Sequence, residues 1–600
     1  MGLAMEVAAV PSQLALVDRR AVLLCAICIV LAAVAALVAQ ALVRLIALFT
    51  NLFFYGRLSF HDADPWHHGL GPWVVLVPVA GAVVVGLMAR FGSKAIRGHG
   101  IPEAMEQVLT NRSKIPARIT FLKPLSSAIA IGTGGPFGAE GPIIATGGAL
   151  GSVLGQLMST TAAERKTLLA AGAAAGMSAT FGAPASAVLL AIELLLFEFR
   201  PRSLVPIALA TVTAAGVRVA LQGSRPMFPM PDLLAPTGAA IACYIVIGAI
   251  VGVASVAVTR TVYALEDLFE LLPVHWMWWP AVGAVAVGVI GYFYPRTLGV
   301  GYGNITQIIS NDLGSLSFVA VLCLMKFISW AVYLSSGTSG GTLAPLFTIG
   351  SGIGLLLGAL AAWAAPGAHV DVRVAALVGM AAIFAGASRA MLTSAVFAFE
   401  TTLQPLGLLP LLGGCAAAYF VSALLMRNTI MTEKIARRGV HVPVEYAPDF
   451  LAGVLVRDAA SKTLVHLGAE QTLDDVRRWI AARGPGTSHQ GFPVLDAQKQ
   501  LVGVVTRRTL LDPEEPGAKR VRELVRRPAI VVYADATLRA AADHMVNHDI
   551  GRLPVIDRDT RRVIAMITRS DLLAAHRVRL REMQEAEAGL LARPATVEAR

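Results

Sequence analysis

Gly134-Gly-Pro-Phe-Gly-Ala-Glu140-Gly-Pro142 places a single carboxylate among glycines and prolines inside an apolar chain. A flexible glycine run followed by proline reads as the start of a new helix, because proline is tolerated in a first turn whose N–H groups are unpaired in any case. A helix start carries those unpaired N–H groups and roughly half a positive charge. Two further stretches have the same form, Gly98-His-Gly-Ile-Pro-Glu103 before it and Ser336-Gly-Thr-Ser-Gly-Gly-Thr-Leu-Ala-Pro345 after it. One such stretch alone reads equally well as small residues for close helix packing. Three of them, at membrane depth, must line a cavity or face protein. Converging, they form a site for a dehydrated anion with no fixed cation to hold it too tightly.

The surroundings are those of a membrane protein. The 600 residues are 56% hydrophobic, with mean hydropathy +0.65. Apolar runs at 21–50, 72–90, 237–259, 277–294 and 405–426 each suit a span of about 20 residues. The first run is too long for a cleavable signal peptide and lacks a small-residue cleavage site. Arg19 and Arg20 precede it, which places the N-terminus inside. The net charge of +11 fits basic cytoplasmic surfaces, and no basic run interleaves with aromatics as nucleic-acid binding would require. Cys25, Cys28, Cys243, Cys323 and Cys415 all lie in apolar segments and read as small hydrophobes. His61, Asp62, Asp64, His67 and His68 read as a solvated loop rather than a metal site.

Near residue 440 the composition changes to alternating apolar strands and charged helices. There Phe492-Pro-Val-Leu-Asp496 recurs as Leu553-Pro-Val-Ile-Asp557, and Val502-Gly-Val-Val-Thr506 as Ile564-Ala-Met-Ile-Thr568. The repeat reads strand, helix, strand, strand, helix and resembles a tandem pair of CBS modules, at 450–513 and 519–577, with a charged tail over 578–600. The membrane part repeats too. Ala183-Pro-Ala-Ser-Ala-Val-Leu-Leu-Ala-Ile-Glu193 is similar to Ala390-Met-Leu-Thr-Ser-Ala-Val-Phe-Ala-Phe-Glu400, each behind a Gly-Met pair. Two such halves are typical of transporters whose site lies at the repeat interface. Glu193 and Glu400, at equivalent positions, read as structural acids bonded to loop amides.

The three glycine-rich stretches resemble, in order, the GSGIP, GREGP and GIFAP signatures of the CLC chloride channel and transporter family. The resemblance covers most of 20–440. It implies an all-α polytopic membrane fold with inverted repeats, joined here to a C-terminal α/β CBS pair, and a homodimer with one pore per subunit. It makes Glu140 the external gate, a carboxylate that occupies an anion site and leaves on protonation. It assigns anion contacts to the backbone of Gly100, Ile101, Gly141, Ile143, Thr342 and Leu343, while Pro142 has no N–H to offer. The sequence departs from the family pattern at four places. His99 replaces the serine of the first signature, Ala139 the arginine before the gate, and Met431 the tyrosine after the last span. Leu194 stands where exchangers carry an internal proton-accepting glutamate.

The resemblance implies transport of chloride or another small anion, regulated by the CBS modules, with His99 and Met431 at the anion-binding centre, and the departures predict a channel or a weakly coupled exchanger. A strict chloride/proton antiporter and a membrane-anchored nucleotide sensor are the alternatives. Glu193, one residue from Leu194, is expected to point about 100° away from its cavity. Glu198 is five residues on and serves as a substitute relay if its segment turns inward, or else pairs with Arg200 or Arg202. Thr568-Arg-Ser-Asp571 matches the Thr-x-x-Asp pattern of nucleotide-binding CBS modules, whereas Thr506-Arg-Arg-Thr509 lacks the acid. An adenosine nucleotide is thus a candidate ligand at Thr568 and Asp571, and no cofactor is required. No Gly-x-Ser-x-Gly, His-Glu-x-x-His or paired-Asp motif marks an enzyme. The expected location is the cell membrane, with the CBS pair cytoplasmic.

Overall fold

The computed structural model describes residues 19–440, 442, 450–461 and 463–587. It divides into a membrane unit and a soluble unit near residue 446. The first eighteen residues and the tail beyond 587 lie outside the described residues.

Among the described residues eight helices are long and apolar enough to cross a bilayer. They take in all five runs read from hydropathy and add Pro201–Gln222, Leu316–Ser335 and Leu343–Ala364. The helices fall into two matching series. The first is α1 Arg19–Tyr55, α2 Leu76–Leu87, α3 Ile101–Thr110, α4 Ile119–Gly132, α5 Glu140–Leu157, α6 Ala162–Phe181, α7 Pro184–Leu190 and α8 Pro201–Gln222. The second is α9 Gly238–Glu270, α10 Trp279–Phe293, α11 Tyr302–Ile309, α12 Leu316–Ser335, α13 Leu343–Ala364, α14 Val372–Ser388, α15 Met391–Thr402 and α16 Leu408–Leu425.

The two series run in opposite directions. Arg20 donates to the Ser159 carbonyl at 3.0 Å and pairs with Glu164, so α1 begins beside the junction of α5 and α6. On this same face Arg165 donates to the Arg112 carbonyl at 3.1 Å, which adds the end of α3. The last turn of α9 contributes Glu266 and Glu270 to a cavity shared with Glu106 and Gln107 of α3. So α9 ends on the face where α1 begins. On the opposite face the ends of α1 and α8 meet the start of α11 around a cavity lined by Gln40, Asp64, Gln222 and Tyr302. The repeats are therefore inverted.

Within each repeat a glycine stripe seats the next helix. A Cβ at Gly147 or Gly151 of α5 would strike the carbonyls of Gly172 and Leu168 in α6. A Cβ at Gly350 or Gly354 of α13 would strike α14 in the same way, at Gly379 and Ala375. Small residues let backbones approach where lipid supplies no hydrophobic drive between helices. The repeats also cap each other. Glu193 accepts from the amides of Leu392 (3.1 Å) and Thr393 (2.9 Å) at the start of α15. Glu400 accepts from the amides of Ala185 (2.9 Å) and Ser186 (2.8 Å) at the start of α7. Each acid at the end of one helix satisfies the orphan donors of its counterpart, the structural role read for both.

The soluble unit holds two three-stranded sheets, β1 Leu467–Gly468, β2 Gly491–Leu495, β3 Leu501–Thr506, and β4 Val532–Tyr533, β5 Arg552–Ile556, β6 Val563–Thr568. In each, the first pair is parallel and the second antiparallel, with a register shift at Val494/Leu495 and again at Val555/Ile556. The repeat thus extends to its irregularity.

Candidate functional site

The three glycine-rich stretches meet. Gly98 donates to the Thr338 carbonyl at 2.9 Å, and Gly341 to the Gly138 carbonyl at 3.1 Å. Each contact is also an isolated β-bridge, Gly98 with Ser339 and Gly138 with Gly341. Gly100 lies so close to Gly141 that a Cβ on it would strike the Gly141 carbonyl, and its φ of +97° belongs to glycine. As expected, the stretches end in the starts of α3, α5 and α13.

Helix geometry decides which amides are free. Ala139 caps α5, and its carbonyl takes the N–H of Ile143 at 3.0 Å. Thr342 caps α13, and its carbonyl takes the N–H of Leu346 at 3.2 Å. With proline third in each helix, the amides without an intrahelical acceptor are those of Ala139, Glu140 and Gly141 in one and Thr342, Leu343 and Ala344 in the other; those of Glu140 and Ala344 turn to the Glu140 carboxylate and that of Ala139 to the Tyr302 hydroxyl. Ile143 therefore does not offer a free amide, contrary to the sequence expectation, because its N–H makes the first intrahelical bond. Gly100 is excluded for another reason. Its N–H donates to Glu103 at 2.7 Å, a bond inside the start of α3. Ile101, Gly141, Thr342 and Leu343 keep their place at helix starts.

Glu140 is fully buried at this junction. Its Oε1 accepts the Tyr302 hydroxyl at 3.0 Å, and its Oε2 has no hydrogen-bond partner. The amides of Glu140 itself and of Ala344 lie beside the carboxylate. A Cβ at Gly138 would collide with it, so glycine there leaves the room the side chain fills. On the same stretches the buried His99 Nδ1 and Thr342 Oγ1 lack partners, while the Tyr333 and Thr338 hydroxyls bond to each other. Buried polar groups in folded proteins are normally paired. Orphans concentrated on stretches that also carry helix-start amides make a locus suited to a small anion.

His99 is buried and Gly100, not His99, occupies the cap of α3, so the imidazole is not a helix cap. The charged groups near it are Glu103, Lys123 and Lys434. Met431 is buried in the main core, with its amide donating to Thr429 Oγ1 at 3.2 Å. The nearest tyrosine hydroxyl in that segment, Tyr263, donates to the Ile430 carbonyl at 2.8 Å. Tyr302, Tyr333 and Thr338 were not legible as site residues. The clue for Tyr302 lies in Gly299-Val-Gly301-Tyr302, a second-repeat counterpart of Gly98-His-Gly100-Ile101.

The relay residues lie apart from the gate. Leu194 lines a cavity of about 720 Å³ on the Arg20 face, with Arg389, Thr429 and Thr432. Glu193 borders the same cavity, against the expectation that it would point elsewhere. The reason is local: Ala191–Leu196 is a π-helical segment, and the cavity is broad enough to take adjacent residues. Its carboxylate is nevertheless held by α15, with Thr393 Oγ1 adding a third bond at 2.5 Å. Glu198 does not continue this helix, because Phe197 turns into the left-handed region at φ +52°. Its carboxylate takes Lys166 at 3.0 Å and Ser203 at 2.8 Å, with Arg200 more distant at 4.0 Å.

In the soluble unit Thr568 and Asp571 stand at a strand-to-helix junction, as the pattern predicts. Asp571 Oδ2 accepts from the Thr568 amide (2.7 Å) and hydroxyl (2.8 Å), and the Thr568 hydroxyl accepts from the Asp571 amide at 3.3 Å. A cleft of about 190 Å³ opens instead at the first module's equivalent, lined by Thr506, Arg527, Asp549 and Arg552.

Comparison with known proteins agrees with this architecture. Residues 80–423 match the family model described as voltage gated chloride channel. Residues 456–513 and 521–577 each match a CBS domain. The chain is 28% identical over 575 residues to chloride channel protein CLC-f of Arabidopsis thaliana, covering 83% of this chain and 71% of that protein. It is 29% identical over 379 residues to the H(+)/Cl(-) exchange transporter ClcA of Vibrio campbellii, covering 61% and 80%. Among solved structures, a slow cyanobacterial Cl-/H+ antiporter superposes with a TM-score of 0.61 at 22% identity, over 68% of this chain and 97% of that one. A eukaryotic CLC transporter superposes with a TM-score of 0.58 at 22% identity, over 91% and 97%. An inverted-repeat membrane unit built on three convergent helix starts, with two CBS domains behind it, makes this chain a member of the CLC family of anion transport proteins.

Proposed function

We propose that the chain conducts chloride or a similar small anion through a pore gated by Glu140, with weak or absent proton coupling. The observation that carries this reading is the buried Glu140 carboxylate, held by the Tyr302 hydroxyl and by the helix-start amides of Glu140 and Ala344, at the meeting point of α5 and α13. An anion arriving there takes the place of the carboxylate, and protonation of the carboxylate lets it leave. The first-turn amides of α5 and α13, released when the carboxylate leaves, and the unpaired hydroxyl of Thr342 are the donors an incoming anion would use.

Weak coupling is supported by what stands on the route from the Arg20 face. Leu194 has no titratable group. Glu193 is bonded to α15, and Glu198 would have to break its pair with Lys166 to carry a proton. A strict antiporter is the competing reading, supported by the name of the Vibrio relative. The reversal potential of purified protein in bilayers, under separate anion and proton gradients, decides between them. A potential that follows the anion gradient alone supports the proposal, and stoichiometric uphill proton movement refutes it.

The Arg20 face is the cytoplasmic one in this reading. It carries Lys94, Arg97, Lys434 and Arg438 around one cavity, and basic residues favour that side. The chain leaves the membrane unit there, which makes the CBS pair cytoplasmic, in a cell-membrane protein assembled as a homodimer with one pore per subunit. An adenosine nucleotide is the proposed CBS ligand. Calorimetry on residues 445–600 should show binding that Asp571→Ala removes. Binding that survives Asp571→Ala and disappears in Asp549→Ala moves the site to the Thr506 cleft. No heat at all makes the module a structural one.

A further inference from the structure

Between α1 and α2 the chain runs Phe60-His-Asp62-Ala-Asp64-Pro-Trp66. Side chains of α1 fix its path. The Asn51 amide donates to the carbonyls of Ser59 (3.1 Å) and His61 (2.8 Å), and the Tyr55 hydroxyl donates to that of Asp64. The far end of the segment lies against the loop that leads into α11. A Cβ on Gly299 would meet Pro65 at 3.0 Å, and one on Gly303 would meet the Trp66 ring at 2.9 Å. The segment is thus anchored to the loop that presents Tyr302, and Tyr302 holds Glu140.

Asp62 and Asp64 line the cavity of about 670 Å³ that reaches Ala139 and Tyr302 from the face opposite Arg20. Every other residue lining it is uncharged. Ala139 stands where the family pattern has an arginine, so the lining offers no cation beside the gate. The nearest cations lie outside the lining and are engaged elsewhere. Arg296 is near Asp64, but its guanidinium stacks 5.0 Å from the Trp66 ring and donates to Gln307. Arg57 stacks 5.1 Å from the Tyr55 ring and donates to Asn51 at 2.7 Å. His67 is the other titratable neighbour of Asp64. Among the described residues neither aspartate carboxylate accepts a hydrogen bond or forms an ion pair, and no group of three His, Cys, Asp or Glu is placed to hold a metal ion. A cleft lined by one sign of charge, with low-dielectric walls, focuses the field of those charges. Here the sign is opposite to the one that would draw an anion inward.

We infer that Asp62 and Asp64 determine what this mouth admits: their carboxylates repel anions approaching Glu140 from the Asp64 face and concentrate protons there, so that the gate opens on acidification of this face rather than on arrival of the anion. The inference rests on the reading of the chain as an anion transporter gated by Glu140. Both effects share one cause, and their signs follow from it. Neutralising the aspartates should ease anion entry and should make the gate need more acid to open.

The full chain is reconstituted in liposomes, with its orientation read from protease access to the soluble unit. Chloride entry from the Asp64 face is followed at fixed chloride while an impermeant salt raises the ionic strength. Both aspartates are exposed, so the added salt screens them. In the unmutated chain entry should rise with salt, as the Debye length falls from about 30 Å at about 0.01 M to about 8 Å at about 0.15 M. Asp62→Asn combined with Asp64→Asn keeps shape and removes charge. At the low-salt end it should pass chloride about threefold faster, the scale of two unit charges at roughly 15 Å in water, and it should rise little further with salt. Its external pH of half-maximal rate should fall by about half a unit, the same threefold read on a pH scale. Entry from the Arg20 face should be unchanged. Asp62→Glu combined with Asp64→Glu should keep the salt dependence of the unmutated chain, a rescue that a merely structural loop would not show. Equal salt dependence in the unmutated chain and the asparagine pair, both eluting as folded protein, overturns the inference. An unmutated chain that moves no chloride from either face overturns the transport reading instead, so the two failures are distinct.

Discussion

In the first repeat α5 begins with Glu140 and in the second α13 begins with Leu343, each two residues after a glycine, Gly138 in one and Gly341 in the other. The backbones are alike: a capping residue, three amides without an intrahelical acceptor and a proline that ends the set. One start contributes an acid that competes for the anion site, and the other contributes donors alone. Symmetry supplies the convergent amides, and a departure from it supplies the gate.

Breaking the symmetric part should have the largest effect, because it leaves buried donors unpaired. Glu193→Ala orphans two amides and the Thr393 hydroxyl, and Glu400→Ala orphans two amides. Each buried donor left unsatisfied costs about 1–3 kcal/mol. Both variants should lower the unfolding temperature in detergent, and Glu193→Ala should lower it more. Equal wild-type melting for both would mean that the cross-repeat caps do not hold the halves together.

Breaking the asymmetric part should act on transport rather than stability. Glu140→Gln mimics the protonated gate, so anion efflux from liposomes should lose its dependence on external pH. For the unmutated chain the rate should rise at least about tenfold as external pH falls, equivalent to about 1.4 kcal/mol. Retained pH dependence in the glutamine variant would place the gate elsewhere.

A smaller change sharpens the same comparison. Tyr302→Phe removes the hydroxyl that the second repeat extends to Glu140 across 162 residues of sequence. A hydrogen bond to a charged group contributes about 1.5–3 kcal/mol. Part of that is recovered when neighbouring amides or water take over, so the neutral-pH rate should rise severalfold. A lower rate would assign Tyr302 to the anion path instead of the gate.

The smallest expected effect is on anion choice. His99 and Met431 stand where the family pattern has two hydroxyls, so chloride should compete with nitrate or bromide by less than tenfold, about 1.4 kcal/mol. His99→Ser should move the ratio toward chloride, measured by competition in efflux. A chloride preference of tenfold or more in the unmutated chain would contradict this.

Much of this molecule is written locally. Glycine followed by proline sets a helix start wherever it occurs, so the three stretches and the place of Glu140 at one of the starts could be read from the sequence. The same holds for the two internal repeats, including the capping role of Glu193 and Glu400, since equivalent acids in equivalent settings imply equivalent bonds. What the sequence could not give is which donors remain. Gly100 and Ile143 lost theirs to Glu103 and Ala139 through turn-by-turn geometry that a one-residue difference in helix start reverses. Glu193 and Leu194 share a cavity because a π-helical segment borders it, which periodicity does not report. Tyr302 at the gate depends on how two inverted halves pack. Helix starts follow from interactions within a few residues. Contacts across the repeat interface are fixed only when the whole membrane unit closes.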